Sequence, residues 1–197
     1  MPDTLKPFEQ ILEPDYFMSS FVVVNRETGE KRKRTLFDHH SAIASIQLSS
    51  RVPDSLQEHF DVARNLFLFS WFAYHFMAVG ERHAFSSVEY ALRLKSGKPK
   101  LMLKEGIELA IKERWIEDSG FQYYSVRSEE CGEEKQTTKG VDGDDAQAYC
   151  NILLDSLPYL RNHVAHGNPM SSLGGLTTLA ICADVINQLF DGTLEKR

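Results

Sequence analysis

Residues 160–167 read LRNHVAHG and bring Arg161, Asn162, His163 and His166 within six consecutive positions. Arginine carries a permanently charged planar fork of donors that suits a phosphate. Histidine exchanges a proton near neutrality. Together they point to phosphate chemistry. Gly167, Asn168 and Pro169 follow, a stop signal that puts the cluster on the last turns of a helix. On that helix Asn162 and His166, four apart, share a face, as do His163 and His166 at three apart. Arg161 and His166 are five apart, which is about 140° around the axis. One helix does not bring both to a single phosphate. Two copies packed about a two-fold axis do, with Arg161 of one facing His166 of the other.

Outward from the motif, the pattern stays helical. Toward the N-terminus it begins at Ala146 and runs through Ile152, Leu153 and Leu157, with Pro158 either kinking this helix or starting a new one after Ser156. Beyond a loop at 167–172, a last helix over 173–190 carries Leu176, Leu179, Ala180, Ala183, Ile186 and Phe190 on one face. It is expected to pack beside the motif helix and close the bundle.

Earlier in the chain, Asp54 caps a helix whose apolar face is Leu56, Phe60, Ala63, Leu66 and Phe67. Residues 66–79, LFLFSWFAYHFMAV, are apolar nearly all round, the mark of a central bundle helix. The run is too short for a bilayer, which takes about 20 apolar residues. His75 is expected to be a hydrogen-bonded core residue, and the aromatic run from Phe69 to Phe76 core or dimer interface. Gly80 allows a break, after which Phe85, Val88, Ala91, Leu92 and Lys95 outline a helix ending at Gly97 and Pro99. Another spans 101–116, with Leu103, Ile107, Ala110, Ile111 and Trp115 inward and charges on its other face. Residues 117–145 are polar and carry four glycines, too little apolar surface to order firmly, so a mobile loop is expected. Asp142, Asp144 and Asp145 lack the spacing and closing glutamate of a calcium loop.

Residues 1–52 differ. A β-branched run at 21–24, a turn at 27–30 with Gly29 and an extended pattern over 31–37 make a β-hairpin appendage. Its return strand holds Lys31, Arg32, Lys33 and Arg34, which either contact a phosphate backbone or protect a solvated edge. Asp38, His39 and His40 are of metal-ligating types. They match a phosphoesterase signature superficially, without the further aspartate motifs that family needs.

The 197 residues fit a single helical domain of about five helices with that appendage: 1–52 the extension, 53–197 the bundle. Apolar content of 42% and charged content of 25% are those of a soluble globular chain. A net charge of −6 argues against a broadly basic nucleic-acid binder, though not against a local basic cleft. Cys131, Cys150 and Cys182 lie far apart with no metal-site spacing, so neither disulfides nor a zinc site is signalled. No signal peptide is seen, and a cytoplasmic setting fits.

The order Arg161, Asn162, any three, His166 resembles the motif of the HEPN superfamily, and SVEYALRLK followed by LKEGIELAIKERWI resembles the helices that precede it there. The resemblance spans 53–190. It implies an all-α bundle, a homodimer through the motif helix, and a metal-independent endoribonuclease of a toxin-antitoxin, defence or RNA-processing system. The expected partners are an RNA substrate and, in such systems, an antitoxin, with no membrane and no cofactor or metal. RNA carries its own nucleophile, the 2′-OH, so the protein need supply only proton transfer and charge stabilisation. His166 is then general base or acid, Arg161 binds the scissile phosphate, and Asn162 orients phosphate or imidazole; His163 falls outside the pattern. The resemblance also admits a non-catalytic dimerisation or partner-binding module. In one branch of the family a modified tyrosine follows the histidine by two; Asn168 stands there in this chain.

Overall fold

The computed structural model describes residues 5–25, 27–121, 147–165 and 175–191, of 163–165 the backbone only. These form seven α-helices and one two-stranded antiparallel hairpin: α1 Tyr16–Ser19, β1 Val22–Val24, β2 Lys31–Lys33, α2 Leu36–Ala44, α3 Asp54–Phe69, α4 Phe76–Ser96, α5 Leu103–Lys112, α6 Ala148–Ala165 and α7 Gly175–Asp191. The all-α reading with a small hairpin holds at this level. The five helices from α3 onward make the bundle, with α4 at its centre in contact with the other four.

The bundle follows the apolar periodicity. Leu56, Phe60, Ala63 and Phe67 of α3 are buried at helical spacing, as are Ala84, Phe85, Val88 and Leu92 of α4, and the two helices pack on each other. Each large side chain so buried contributes about 2 kcal/mol of transfer free energy. Asp54 does not cap α3; Pro53 is the N-cap, and Asp54 opens the helix with its charge on the first turn, where it meets the positive end of the macrodipole. Gly97 closes α4 at φ 68°, the left-handed conformation glycine tolerates.

The apolar run at 66–79 is split, not one central helix. It ends α3, turns a corner at 70–75 and begins α4. Backbone groups that the corner frees are taken up by the N-terminal segment. Asp15 N donates to the Trp71 carbonyl at 2.8 Å, Asp15 Oδ2 accepts from Tyr74 N at 3.1 Å, and Lys6 Nζ donates to the Phe72 carbonyl at 3.0 Å. Gly80 breaks nothing. It lies inside α4, where an added Cβ would sit 2.9 Å from the buried Phe67 ring. His75 is exposed at the start of α4 rather than in the core.

The hairpin is shorter than the extended pattern. Val22, Val23 and Val24 pair with Lys33, Arg32 and Lys31, but from Leu36 the chain is helical. Thr35 Oγ1 accepts from Asp38 N while Asp38 Oδ2 accepts from Thr35 N. This capping box starts α2 at residues whose β-branched and aromatic character reads as strand. Likewise α5 stops at Lys112, short of 116, because Arg114 turns to φ 53° and Trp115 N donates back to the Ala110 carbonyl.

Among the described residues α7 packs on α4 and touches α3, while α6 lies against α4 and α5. Among the described residues the last helix therefore packs chiefly on the central helix rather than on the motif helix. Its buried face, with Leu179, Ala183 and Ile186, is matched to α4, and Gly175 admits Met77 so closely that a Cβ would lie 2.7 Å from its sulfur. No helix among the described residues is long and apolar enough to cross a membrane.

Candidate functional site

The motif helix is fixed at its N-terminal end by a residue from outside it. Asp118 accepts from Tyr149 N through Oδ2 and from Cys150 N through Oδ1, both at 2.9 Å. These are donors of the first turn, which a helix cannot satisfy itself. Asp118 belongs to a 3-10 turn followed by the buried Phe121, so residues 117–121 are an ordered support for the helix and not part of a loose loop. From this cap α6 runs unbroken to Ala165, and Pro158 sits inside it. Proline cannot donate to the carbonyl one turn back, yet no second helix begins there.

Arg161 lies on the side of α6 that meets α4. One of its Nη groups is 3.3 Å from Glu89 Oε1, and the other donates to Asn162 Oδ1 at 3.1 Å. Glu89 Oε2 is held in turn by Arg93 Nη2 at 3.1 Å, and Arg93 Nε donates to the Leu101 carbonyl at 2.9 Å. The Glu89 side chain is 11% exposed, those of Arg93 and Arg161 34% and 38%. One carboxylate between two guanidiniums leaves a single net positive charge in a setting partly shielded from water, where charge-assisted bonds gain strength.

Glu89 is the residue the sequence reading passed over. Its signal was available: it shares the face of Phe85, Val88 and Leu92, and a carboxylate on a buried face requires a cation. Arg93, four residues on, supplies one. The second comes from α6, through tertiary contact alone.

The structure thus brings Arg161 and Asn162 together and orients the former through Glu89. Asn162 is exposed, in line with exposed Ile152, Asp155 and Tyr159 along α6. His166, Gly167, Asn168 and Pro169 lie outside the described residues, as do Cys131, residues 122–145 with Asp142, Asp144 and Asp145, and the side chain of His163.

Asp38, His39 and His40 do not converge. Asp38 receives both Nη groups of Arg32, at 2.6 and 2.7 Å, and together with the bonds from Thr35 this holds its carboxyl well below the usual range. His39 is buried, its Nε2 2.9 Å from the Phe67 carbonyl, and burial lowers its pKa. His40 is exposed. Among the described residues no group of three histidines, cysteines or carboxylates could hold a metal ion. A cleft of about 200 Å³ between α2 and α3, lined by His40, Asp61, Arg64 and Asn65 among others, takes no residue from the motif helix. No family model, no curated protein and no solved structure matches the chain at a significant level.

Proposed function

We propose that this chain is a HEPN-like endoribonuclease that needs no metal and acts as a homodimer through α6. The observation that carries the reading is Arg161: a guanidinium on the motif helix, still 38% exposed, held by Glu89 and flanked by Asn162. A pre-oriented cation of this kind is what a phosphate in transition requires. The exposed line Ile152, Tyr159 and Asn162 supports the dimer, since the two large apolar residues on it are 61% and 66% exposed. In the proposed reaction His166 takes the proton of the RNA 2′-OH, whose oxygen attacks the adjacent phosphorus. The P–O5′ bond breaks, the leaving oxygen acquires a proton, and the products are a 2′,3′-cyclic phosphate and a 5′-OH. Arg161 neutralises the charge growing on the phosphoryl oxygens, and Asn162 orients the phosphate or imidazole. The cellular role is that of a toxin, a defence factor or an RNA-processing factor, with an antitoxin as partner in the first case.

One observation favours a second reading. The pair with Glu89 also gives Arg161 a purely structural occupation, tying α6 to α4. The chain would then be a non-catalytic HEPN-like module for dimerisation or partner binding. Cleavage of a mixed RNA substrate in EDTA separates the two. The nuclease reading expects cyclic-phosphate ends from the native protein and none from His166→Ala or Arg161→Ala. Absence of cleavage by dimeric native protein moves the function to the module.

A further inference from the structure

The N-terminal segment turns its large apolar side chains outward. Leu5, Phe8, Leu12 and Tyr16 are 97, 84, 80 and 90% exposed, although their three- and four-residue steps are of the kind that usually buries a face. The segment is not loose. Asp15 binds the corner between α3 and α4 through Trp71 and Tyr74, and Lys6 Nζ ties the Glu13 and Phe72 carbonyls together at 2.5 and 3.0 Å. Polar bonds thus pin the backbone while the apolar groups face water. Glu9 and Glu13 stand exposed among them. The open apolar area is on the order of 600 Å² at the usual size of such side chains. That approaches what each partner contributes to a standard protein interface, and monomers rarely leave so much uncovered.

The hairpin offers the complement. Val22 is paired with Lys33 and Val24 with Lys31, so these four side chains project from one face of the sheet. All are exposed, Val22 at 54% and Val24 at 49%. Arg32 projects from the other face, where Asp38 neutralises it. One surface is therefore apolar with two carboxylates, the other apolar with two ammonium groups. A bilayer with anionic headgroups or a nucleic acid would be repelled by Glu9 and Glu13; a second copy of this chain presents matching charge.

We propose that two copies of this chain associate reciprocally, the 5–16 segment of each lying on the hairpin face of the other, with Glu9 and Glu13 opposite Lys31 and Lys33. The contact is isologous and closes on itself. It uses neither the motif nor the α6 surface, so it stands or falls independently of the nuclease reading.

Sedimentation velocity of the full chain across a micromolar concentration series tests it. Phe8→Ser with Leu12→Ser should weaken association at least about tenfold, while Tyr159→Glu, on α6, leaves this contact in place. The charge swap is the sharper arm. On a Tyr159→Glu background, which removes the proposed α6 contact, Glu9→Lys with Glu13→Lys, and separately Lys31→Glu with Lys33→Glu, should each lose the remaining self-association, and an equimolar mixture should regain it because both reciprocal contacts are attractive again. All four positions are exposed, so thermal melts of the variants should match the native protein and exclude misfolding as the cause. A native chain that stays monomeric, variants that associate as the native chain does, or a mixture that fails to recover would each overturn the proposal.

Discussion

Glu89 Oε1 stands 3.3 Å from an Nη group of Arg161 while its other oxygen holds Arg93, so one buried carboxylate of the central helix orients the arginine of the motif helix. Replacing it with glutamine leaves two guanidiniums facing each other without countercharge. A deeply buried pair broken in this way costs several kcal/mol. The two arginine side chains are 34% and 38% exposed here, so screening trims the expected loss for Glu89→Gln to about 1–2 kcal/mol. A urea melt reads this directly. A double-mutant cycle with Arg161→Met should return a coupling above about 0.5 kcal/mol; additivity would show that the pair contributes nothing.

The same pair marks where sequence reading reaches and where it stops. The bundle was legible because Leu56, Phe60, Ala63 and Phe67, or Leu103, Ile107 and Ala110, repeat at a spacing only one element explains. The motif helix was legible for the same reason, and Arg161 and Asn162 fall on it as expected. Most of what escaped was non-local. The corner at 70–75 contains neither glycine nor proline, and its freed backbone groups are satisfied by Lys6 and Asp15, distant in sequence. α2 escaped because Thr35 and Asp38 outweigh the strand-like residues between and around them. The place of Glu89 on the buried face of α4 was readable, but its tie to Arg161 escaped because a partner on α6 leaves no trace in local periodicity.

Asp118 anchors the first turn of α6 with two 2.9 Å bonds. Asp118→Ala should cost about 1–2 kcal/mol, the usual range for a lost cap. Asp118→Asn keeps one acceptor and should cost less. Hydrogen exchange at Tyr149 and Cys150 should accelerate in the alanine variant, while α3 amides stay protected. Equal acceleration throughout would mean global destabilisation and no specific cap.

Gly80 tests the close approach of α3 and α4. Alanine there gains about 1 kcal/mol of helix propensity, but its Cβ would lie 2.9 Å from Phe67 Cδ2 and 3.3 Å from Leu66 Cβ. Phe67 is fully buried, so its ring has little room to withdraw, and overpacking of this kind costs about 1–3 kcal/mol. Gly80→Ala is therefore expected to lower the melting temperature by a few degrees. A rise would show that the two helices separate easily.

Glu81 should make stability depend on pH. It is 2% exposed on α4, bonded to Thr178 and beside Cys182, with no hydrogen-bond partner for Oε2 among the described residues. Burial pushes its pKa up to about 7 from an ordinary 4.5. Between those values the folded chain binds the proton that the unfolded chain has released, so stability falls as pH rises. The contribution is fully present below the unfolded pKa and is lost as pH passes through the folded one. Glutamine mimics the protonated form at every pH. Glu81→Gln should therefore match the native protein near pH 4.5 and exceed it at about pH 8 by on the order of 2–3 kcal/mol. Urea unfolding of the two proteins at both pH values measures the difference, in which every other titrating group cancels; a gap that does not widen with pH would place an ionised carboxylate in the core at no cost, and so contradict its burial.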